Sequence, residues 1–183
     1  INGKEINLLK NNKNRQILNE KSKINIILFQ SNVKDTKYDR IKKIINKFNI
    51  KSFHLTYGDG YANINIKKII NFSKKKNTDV VITSAKIKSQ YGHIVRSNKT
   101  NKISIVEKPL LSDPINIGYM FFNNSSLKYF KIKKFKELEN ELLNFISKKN
   151  KVCIYHHQKY WKSIDNFKDL QDLRSDIKKI NEK

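Results

Sequence analysis

The chain is poor in the residues that punctuate, staple or read phosphates: one cysteine, two prolines, five glycines and four arginines in 183 residues. A lone Cys153 excludes an internal disulfide and the cysteine-rich metal sites, and makes a reducing, cytoplasmic setting the default expectation. No apolar run approaches the roughly 20 residues that span a bilayer. No apolar segment opens the chain as a secretory signal would, so no membrane partner is expected. With so few prolines and glycines, each break carries more information than usual.

Charge is abundant and of one sign. Thirty-nine lysines and arginines face 16 acidic residues, a net charge of +23, a balance that ordinarily points to nucleic acid. Against that stands the scarcity of arginine (Arg15, Arg40, Arg96, Arg174), whose planar fork is favoured for phosphate and base recognition. The lysines travel with asparagine and isoleucine, the composition an AT-rich genome produces without selection for charge. A solvated lysine surface is therefore expected, with no nucleic-acid partner, although anionic nucleotides would be drawn to such a field. Hydrophobic residues at 38% suffice for one globular domain.

Periodicity divides the chain into strands and helices. Residues 5–18 look weakly helical, "INIILF" (Ile24–Phe29) reads as a strand, and Ile41, Ile44, Ile45 and Phe48 share one helical face. "KSFHLTY" is a strand ending at Tyr57, and Ile66, Ile69 and Ile70 recur at helical spacing. "DVVITSA" (Asp79–Ala85) is the continuous apolar run of a buried parallel strand. Strands over Gly92–Arg96, Lys102–Val106 and Ile115–Phe122 follow, then helices near Ser126–Phe130 and over Phe135–Lys148. "KVCIYHH", "YWKSI" and a helix from Phe167 close the chain. Strands alternating with helices indicate a parallel α/β sheet with antiparallel additions.

Four stretches carry candidate chemistry. In "TYGDG" (Thr56–Gly60), Asp-Gly between apolar runs is the usual signature of a hairpin turn. The helical period of "NINIKKIINF" just after it instead indicates a strand-to-helix junction, where parallel sheets bind ligands and an aspartate can ligate Mg²⁺. Gly58 and Gly60 would let a ligand approach and would tolerate positive φ. In "VEKPLL", Glu107 and Lys108 end a strand, with Pro109 biasing Lys108 toward an extended backbone; they suit sugar hydroxyls and a phosphate, or are a solvated charge pair. In "INIGYMFF", Asn116 and Gly118 interrupt a buried strand, for a close approach to the backbone or for a β-bulge. In "YWKSIDNFKDL", Asp165 is a site residue or the N-cap of the last helix. The four histidines have no metal-ligand spacing and read as structural.

The order of these stretches is more specific than any one of them. GDG, a helix, a strand, Tyr91-Gly92, Glu107-Lys108-Pro109, Asn116-Ile117-Gly118 and Trp161-x-x-x-Asp165 resemble the sugar-1-phosphate nucleotidyltransferases, most of all their glucose-1-phosphate cytidylyltransferase branch. "DTKYDRIKKI" is similar to that branch's threonine–arginine segment, with Thr36 and Arg40 in register. The likeness runs from about Ile24 to Leu173, and Gly58, Gly60, Gly92 and Gly118 all fall in its motifs. It implies a nucleotide-diphospho-sugar transferase fold over 1–183: a Rossmann-like, three-layer α/β/α domain with a mixed, mainly parallel sheet.

The resemblance also implies a reaction and roles. A nucleoside triphosphate, CTP favoured, and a sugar 1-phosphate, glucose 1-phosphate favoured, would give a nucleotide sugar such as CDP-glucose, a precursor for lipopolysaccharide O-antigen, and pyrophosphate. Asp59 and Asp165 would hold Mg²⁺, Lys108 the sugar phosphate and Glu107 the sugar hydroxyls. Tyr57, Gly58, Gly60, Gly92, Asn116, Gly118 and Trp161 would shape the substrate pocket, and Thr36 and Arg40 would touch nucleotide or sugar. A homo-oligomer is compatible with this reading. Guanylyl or thymidylyl transfer to another sugar phosphate, and a non-catalytic relative, are the alternatives.

Three departures accompany the likeness. The family's glycine-rich loop has no counterpart, so a further strand–loop–helix unit is expected before Ile1, and these residues alone are expected to have little transferase activity. The usual Asn-Gly-Gly is Asn116-Ile117-Gly118, which sets a β-branched side chain beside the sugar pocket. "AKIKSQYGH" lacks the branch's proline and arginine.

Overall fold

The computed structural model describes residues 14–19, 24–96, 102–132 and 135–181. They fall into two compact units, one drawn from 1–50 and 133–142, the other from 51–132 and 143–183.

In the first unit, β1 (Asn14–Asn19) pairs antiparallel with β2 (Ile24–Phe29), Asn14 opposite Phe29. The helix expected near 5–18 is thus a strand where it is described, and residues 5–13 lie outside the described residues. Adjacent Ile17 and Leu18 do not choose between the two periods, and pairing with β2 decides. Helix α1 (Lys37–Phe48) begins at a capping box: Asp39 N–H donates to Thr36 Oγ1 at 3.2 Å, and Thr36 N–H donates to Asp39 Oδ2 at 3.1 Å. It ends at Asn49 in the left-handed conformation, whose N–H donates to Ile45 O. Its buried stripe is Tyr38, Ile41 and Ile45, and Tyr38 meets Phe135 edge-on at 6.2 Å. Phe48, expected on that stripe, is 37% exposed and lies against Phe29.

The second unit is built on a four-stranded sheet. Its elements in chain order are β3 (Phe53–Thr56), β4 (Gly60–Ala62), α2 (Ile66–Lys76), β5 (Val80–Ala85), β6 (His93–Arg96), β7 (Ile103–Val106), β8 (Ile115–Phe122) and α3 (Leu127–Phe130). After the first unit's segment 133–142, which holds nearly all of a π-helical stretch, Leu138–Leu143, the second unit resumes with α4 (Asn144–Ser147), β9 (Val152–His156), β10 (Trp161–Ser163) and α5 (Phe167–Asn181). The sheet order is β3-β8-β5-β9, antiparallel at the first two pairings and parallel between β5 and β9. β3, β5 and β9 therefore share a direction that β8 reverses: the sheet is mixed as expected, but because β8 lies between β3 and β5 only the β5–β9 pairing among the described residues is parallel. β5, all but one of its residues buried, is covered on both faces. On one face Val81 and Phe121 pack with Ile69 of α2. On the other, Phe122 stacks on Phe53 at 4.7 Å and meets Phe130 of α3 at 5.7 Å.

At the start of β5, buried Asp79 accepts hydrogen bonds from Ser125 Oγ (2.6 Å) and Tyr129 Oη (2.9 Å) and pairs with Lys128 at 3.3 Å. Burial pushes its carboxyl upward, but these donors together outweigh burial and hold it below the ordinary carboxylate range. Among the described residues no helix is long and apolar enough to cross a membrane.

Candidate active site at the strand ends

"TYGDG" is neither a hairpin nor a direct strand-to-helix junction. After β3 the chain turns at Gly58 and Asp59 into the three-residue strand β4, which pairs not with β3 but antiparallel with β10, Gly60 opposite Ser163. Ile164 N–H donates to Asp59 O at 2.7 Å and carries that ladder one step further. Asp59 and Asp165, far apart in sequence, are thereby brought to the same end of one small sheet. Both are exposed.

Asp165 does not cap α5. Its neighbour Asn166 does, accepting from Asp169 N–H at 3.0 Å, while Asp169 Oδ2 accepts from the Asp165 and Asn166 N–H groups. The Asp165 carboxylate is left out of the capping box and accepts from Ser163 Oγ at 3.1 Å. Mg²⁺ takes oxygen ligands and is commonly held by one or two carboxylates, water and substrate phosphates. A pair of exposed aspartates fits that demand. No group of three or more His, Cys, Asp or Glu able to hold a metal occurs among the described residues.

Gly118, not Gly58 or Gly60, is the glycine whose backbone requires one. Its φ is +76°, and a Cβ there would lie 2.8 Å from Tyr57 Cδ2 and 3.1 Å from Tyr57 Cβ. What approaches the backbone is thus the Tyr57 ring, at a bulge where the β5–β8 register shifts between Ile82 and Ser84. Tyr57 N–H donates to Gly118 O (3.0 Å), Asn116 Oδ1 accepts from Gly118 N–H (2.9 Å), and Tyr119 Oη donates to Gly60 O (3.1 Å). The Asp59 turn is in this way fastened to β8. Ile117 is 3% exposed, so its side chain is taken up by protein, while Asn116 stays exposed. Gly58 meets nothing within 4 Å of a Cβ position.

β6 and β7 form a two-stranded antiparallel sheet with Gly92 and Glu107 at its base. A Cβ on Gly92 would fall 2.8 Å from Glu107 Oε2, so the missing side chain is the space that carboxylate uses. Lys108, expected to be extended before Pro109, has φ +46°. The pre-proline preference is overridden by Ser89 N–H donating to Pro109 O (2.8 Å) and Leu111 N–H donating to Ile87 O (2.9 Å). A non-glycine residue so held costs on the order of 1–3 kcal/mol, strain that concentrates at functional sites.

Trp161 opens β10, and its indole Nε1 is buried without a hydrogen-bond partner, 3.7 Å from the Cβ position of Gly60. It also lines a cleft of about 810 Å³ at the carboxyl ends of β5 and β9, with Ser84, Lys86, Lys88, His156 and Lys162. Ser84 Oγ lies 2.9 Å from His156 Nδ1 across the parallel pair. Sequence reasoning passed over this cleft; the polar Thr-Ser ending of an otherwise apolar parallel strand was its only signal. Thr36 and Arg40 belong to the first unit, where Thr36 is the helix cap and Arg40 is an exposed residue of α1.

The nucleotidyl transferase family model matches residues 7–180. The chain is 26% identical, over 86% of its length, to a Bacillus subtilis (strain 168) protein described as a probable glucose-1-phosphate cytidylyltransferase. It is 25% identical, over 65% of its length, to the glucose-1-phosphate cytidylyltransferase of Salmonella typhimurium. It spans 62% of the first and 46% of the second. Among solved structures, HddC from Yersinia pseudotuberculosis superposes with a TM-score of 0.54 at 20% identity, covering 79% of this chain and 63% of that one. A family match across nearly the whole chain, on a fold shared with HddC, shows that the chain belongs to the nucleotidyl transferase family.

Proposed function

We propose that these residues form the metal- and sugar-phosphate-binding part of a sugar-1-phosphate nucleotidyltransferase, with CTP and glucose 1-phosphate as the favoured pair. In that reaction an oxygen of the sugar 1-phosphate attacks the α-phosphorus of the triphosphate. The bond to the β-phosphate breaks and pyrophosphate leaves with the electron pair, so the demand on the protein is alignment and charge neutralisation. Asp59 and Asp165 would hold Mg²⁺, whose contribution when bound is to offset phosphate charge. Lys108 would pair with the sugar phosphate from its strained backbone position. Glu107, kept over Gly92, would accept sugar hydroxyls, and Asn116, Gly118, Tyr57, Gly58, Gly60 and Trp161 would shape the pocket.

The observation that supports this reading is the β4–β10 ladder, beyond whose Gly60–Ser163 pair Asp59 and Asp165 both lie. The 183 residues contain no glycine-rich loop, so binding is the informative readout. Calorimetry should detect Mg²⁺-dependent binding of glucose 1-phosphate. Asp59→Asn and Asp165→Asn should each weaken Mg²⁺ at least about tenfold, or ~1.4 kcal/mol, with the melting temperature unchanged. Equal Mg²⁺ affinity in both variants and the parent would remove the proposal. Pyrophosphate release compared for CTP, GTP and dTTP, in a chain extended by a glycine-rich loop unit, tests the choice of base.

A further inference from the structure

The cleft of about 810 Å³ at the carboxyl ends of β5 and β9 has the volume of a ligand pocket, and the reaction proposed above leaves its charge unused. Lys86, Lys88, Lys159 and Lys162 line it, and among the described residues no acidic side chain does. Lys162 pairs with Asp172 at 2.9 Å, whereas Lys86, Lys88 and Lys159 pair with no carboxylate among the described residues. Lysine is common throughout this chain, but here it surrounds a fixed concave frame rather than an open face. His157 N–H donates to Ser84 O at 2.8 Å, and the His157 ring Nε2 lies 3.0 Å from Tyr160 O, which pins the connection from β9 to β10. The hydroxyl of Ser84, a residue 4% exposed, holds His156 at Nδ1, and Nε2 of that ring has no partner among the described residues. Ala85, Ile87 and Trp161 supply apolar wall.

The cleft adjoins both halves of the candidate active site. Lys88 bridges Leu110, Ser89 N–H donates to Pro109 O and Leu111 N–H donates to Ile87 O. The wall that carries Lys86 and Lys88 is thereby sewn to the segment that carries Glu107 and Lys108. Trp161 and Lys162, also in the lining, stand in β10 opposite Ala62 and Tyr61 of β4, the strand that follows Asp59. We propose that the cleft receives a second acidic group, a phosphate or a carboxylate, borne by the sugar 1-phosphate itself, so that the preferred substrate is charged at both ends. It rests on the function proposed above, in which Lys108 meets the 1-phosphate; glucose 1-phosphate would use only that one of the two anion places. A second anion would gain charge-assisted hydrogen bonds from the lysines and His156, roughly twice as strong as neutral ones.

Calorimetry of the full chain at one fixed Mg²⁺ concentration tests this, with glucose 1,6-bisphosphate compared against glucose 1-phosphate. At about 0.15 M salt, exposed charges more than about 8 Å apart are largely screened. The bisphosphate should bind at least about tenfold more tightly, as added hydrogen bonds to a charged group give. It should also change the fluorescence of Trp161, the only tryptophan. In a double variant, Lys86→Gln with Lys88→Gln, both at exposed positions, the ratio of the two affinities should fall at least about fivefold. Lys75→Gln with Lys76→Gln removes the same charge from the last turn of α2 and should leave the ratio where it was. Equal affinity for the two ligands would overturn the proposal by denying a second group. The same fall in both double variants would overturn it by tracing the preference to the overall charge of +23. Inorganic phosphate that matches the bisphosphate in affinity would overturn it in favour of a free anion. The metal site fails separately, through unchanged Mg²⁺ affinity in Asp59→Asn and Asp165→Asn, because the ratio of the two sugar phosphates reads only the second group.

Discussion

Replacing Gly118 by alanine should damage the candidate site and the stability of the second unit together. Two costs combine. At φ +76° an L side chain sits in the left-handed region, worth about 1–2 kcal/mol. The new Cβ would also meet Tyr57 Cδ2, Cγ and Cβ at 2.8, 2.9 and 3.1 Å. Those atoms are the root and near edge of the ring, so the whole side chain must shift, at about 1–3 kcal/mol for overpacking. The unfolded chain loses some freedom, which returns about 0.4–1 kcal/mol. The net expectation is a loss of roughly 2–4 kcal/mol. Urea unfolding followed by fluorescence is a direct assay, because the only tryptophan, Trp161, lies in the same unit. Gly58→Ala is the control: its Cβ meets nothing within 4 Å, and a change within about 0.5 kcal/mol is expected. In a Tyr57→Ala background, which removes the 2.8 and 2.9 Å contacts and leaves the one to Cβ, Gly118→Ala should cost mainly the backbone part, a coupling of about 1–3 kcal/mol. If Gly118→Ala proved as benign as Gly58→Ala, the account of Gly118 as the seat of Tyr57 would be refuted.

Gly92→Ala should behave differently, because the atom in the way is the mobile end of Glu107. Stability should change by less than about 0.5 kcal/mol, while sugar-phosphate affinity measured calorimetrically falls several-fold. Asp79→Asn should cost about 1.5–3 kcal/mol at neutral pH, the range for hydrogen bonds to a charged group. Since the folded carboxyl is held below its unfolded value, that stability is present above about pH 3.9 and is lost as pH falls through the folded value. Urea melts at falling pH should therefore show parent and variant converging in acid. Thr36→Ala should destabilise α1 by about 1 kcal/mol and Thr36→Ser should restore it, read as amide exchange in Lys37–Phe48; restored exchange with ligand binding still lost would give Thr36 a second role.

What was legible in the sequence was what local pattern determines. "DVVITSA" is a buried strand because an unbroken apolar run has nowhere else to go, and Ile41 and Ile45 lie on the buried stripe their spacing gives them. Asp59 and Asp165 flank one ladder, and the Glu107 carboxylate lies where a Gly92 side chain would be. What escaped was decided at long range. Strand β4 is three residues long and exists only because β10 pairs with it from the far end of the chain. Lys108 follows distant backbone bonds rather than the proline beside it. Asp165 was left open between a site residue and the cap of α5, because Asp165 and Asn166 are both good caps and only the position of Asp169 separates them.

The interleaving of the two units along the chain sets an order of events during synthesis. β3, β8 and β5 can pair once residue 122 has emerged, but β9 and β10 follow the segment 133–142 that belongs to the other unit. Strand β4 is therefore made early and waits for β10 until nearly the whole chain is out. A ribosome paused before Trp161 would hold a nascent chain with its central strands paired and β4 still without its partner strand. Three strands of the sheet pair first, and the β4–β10 ladder closes only with the last strand.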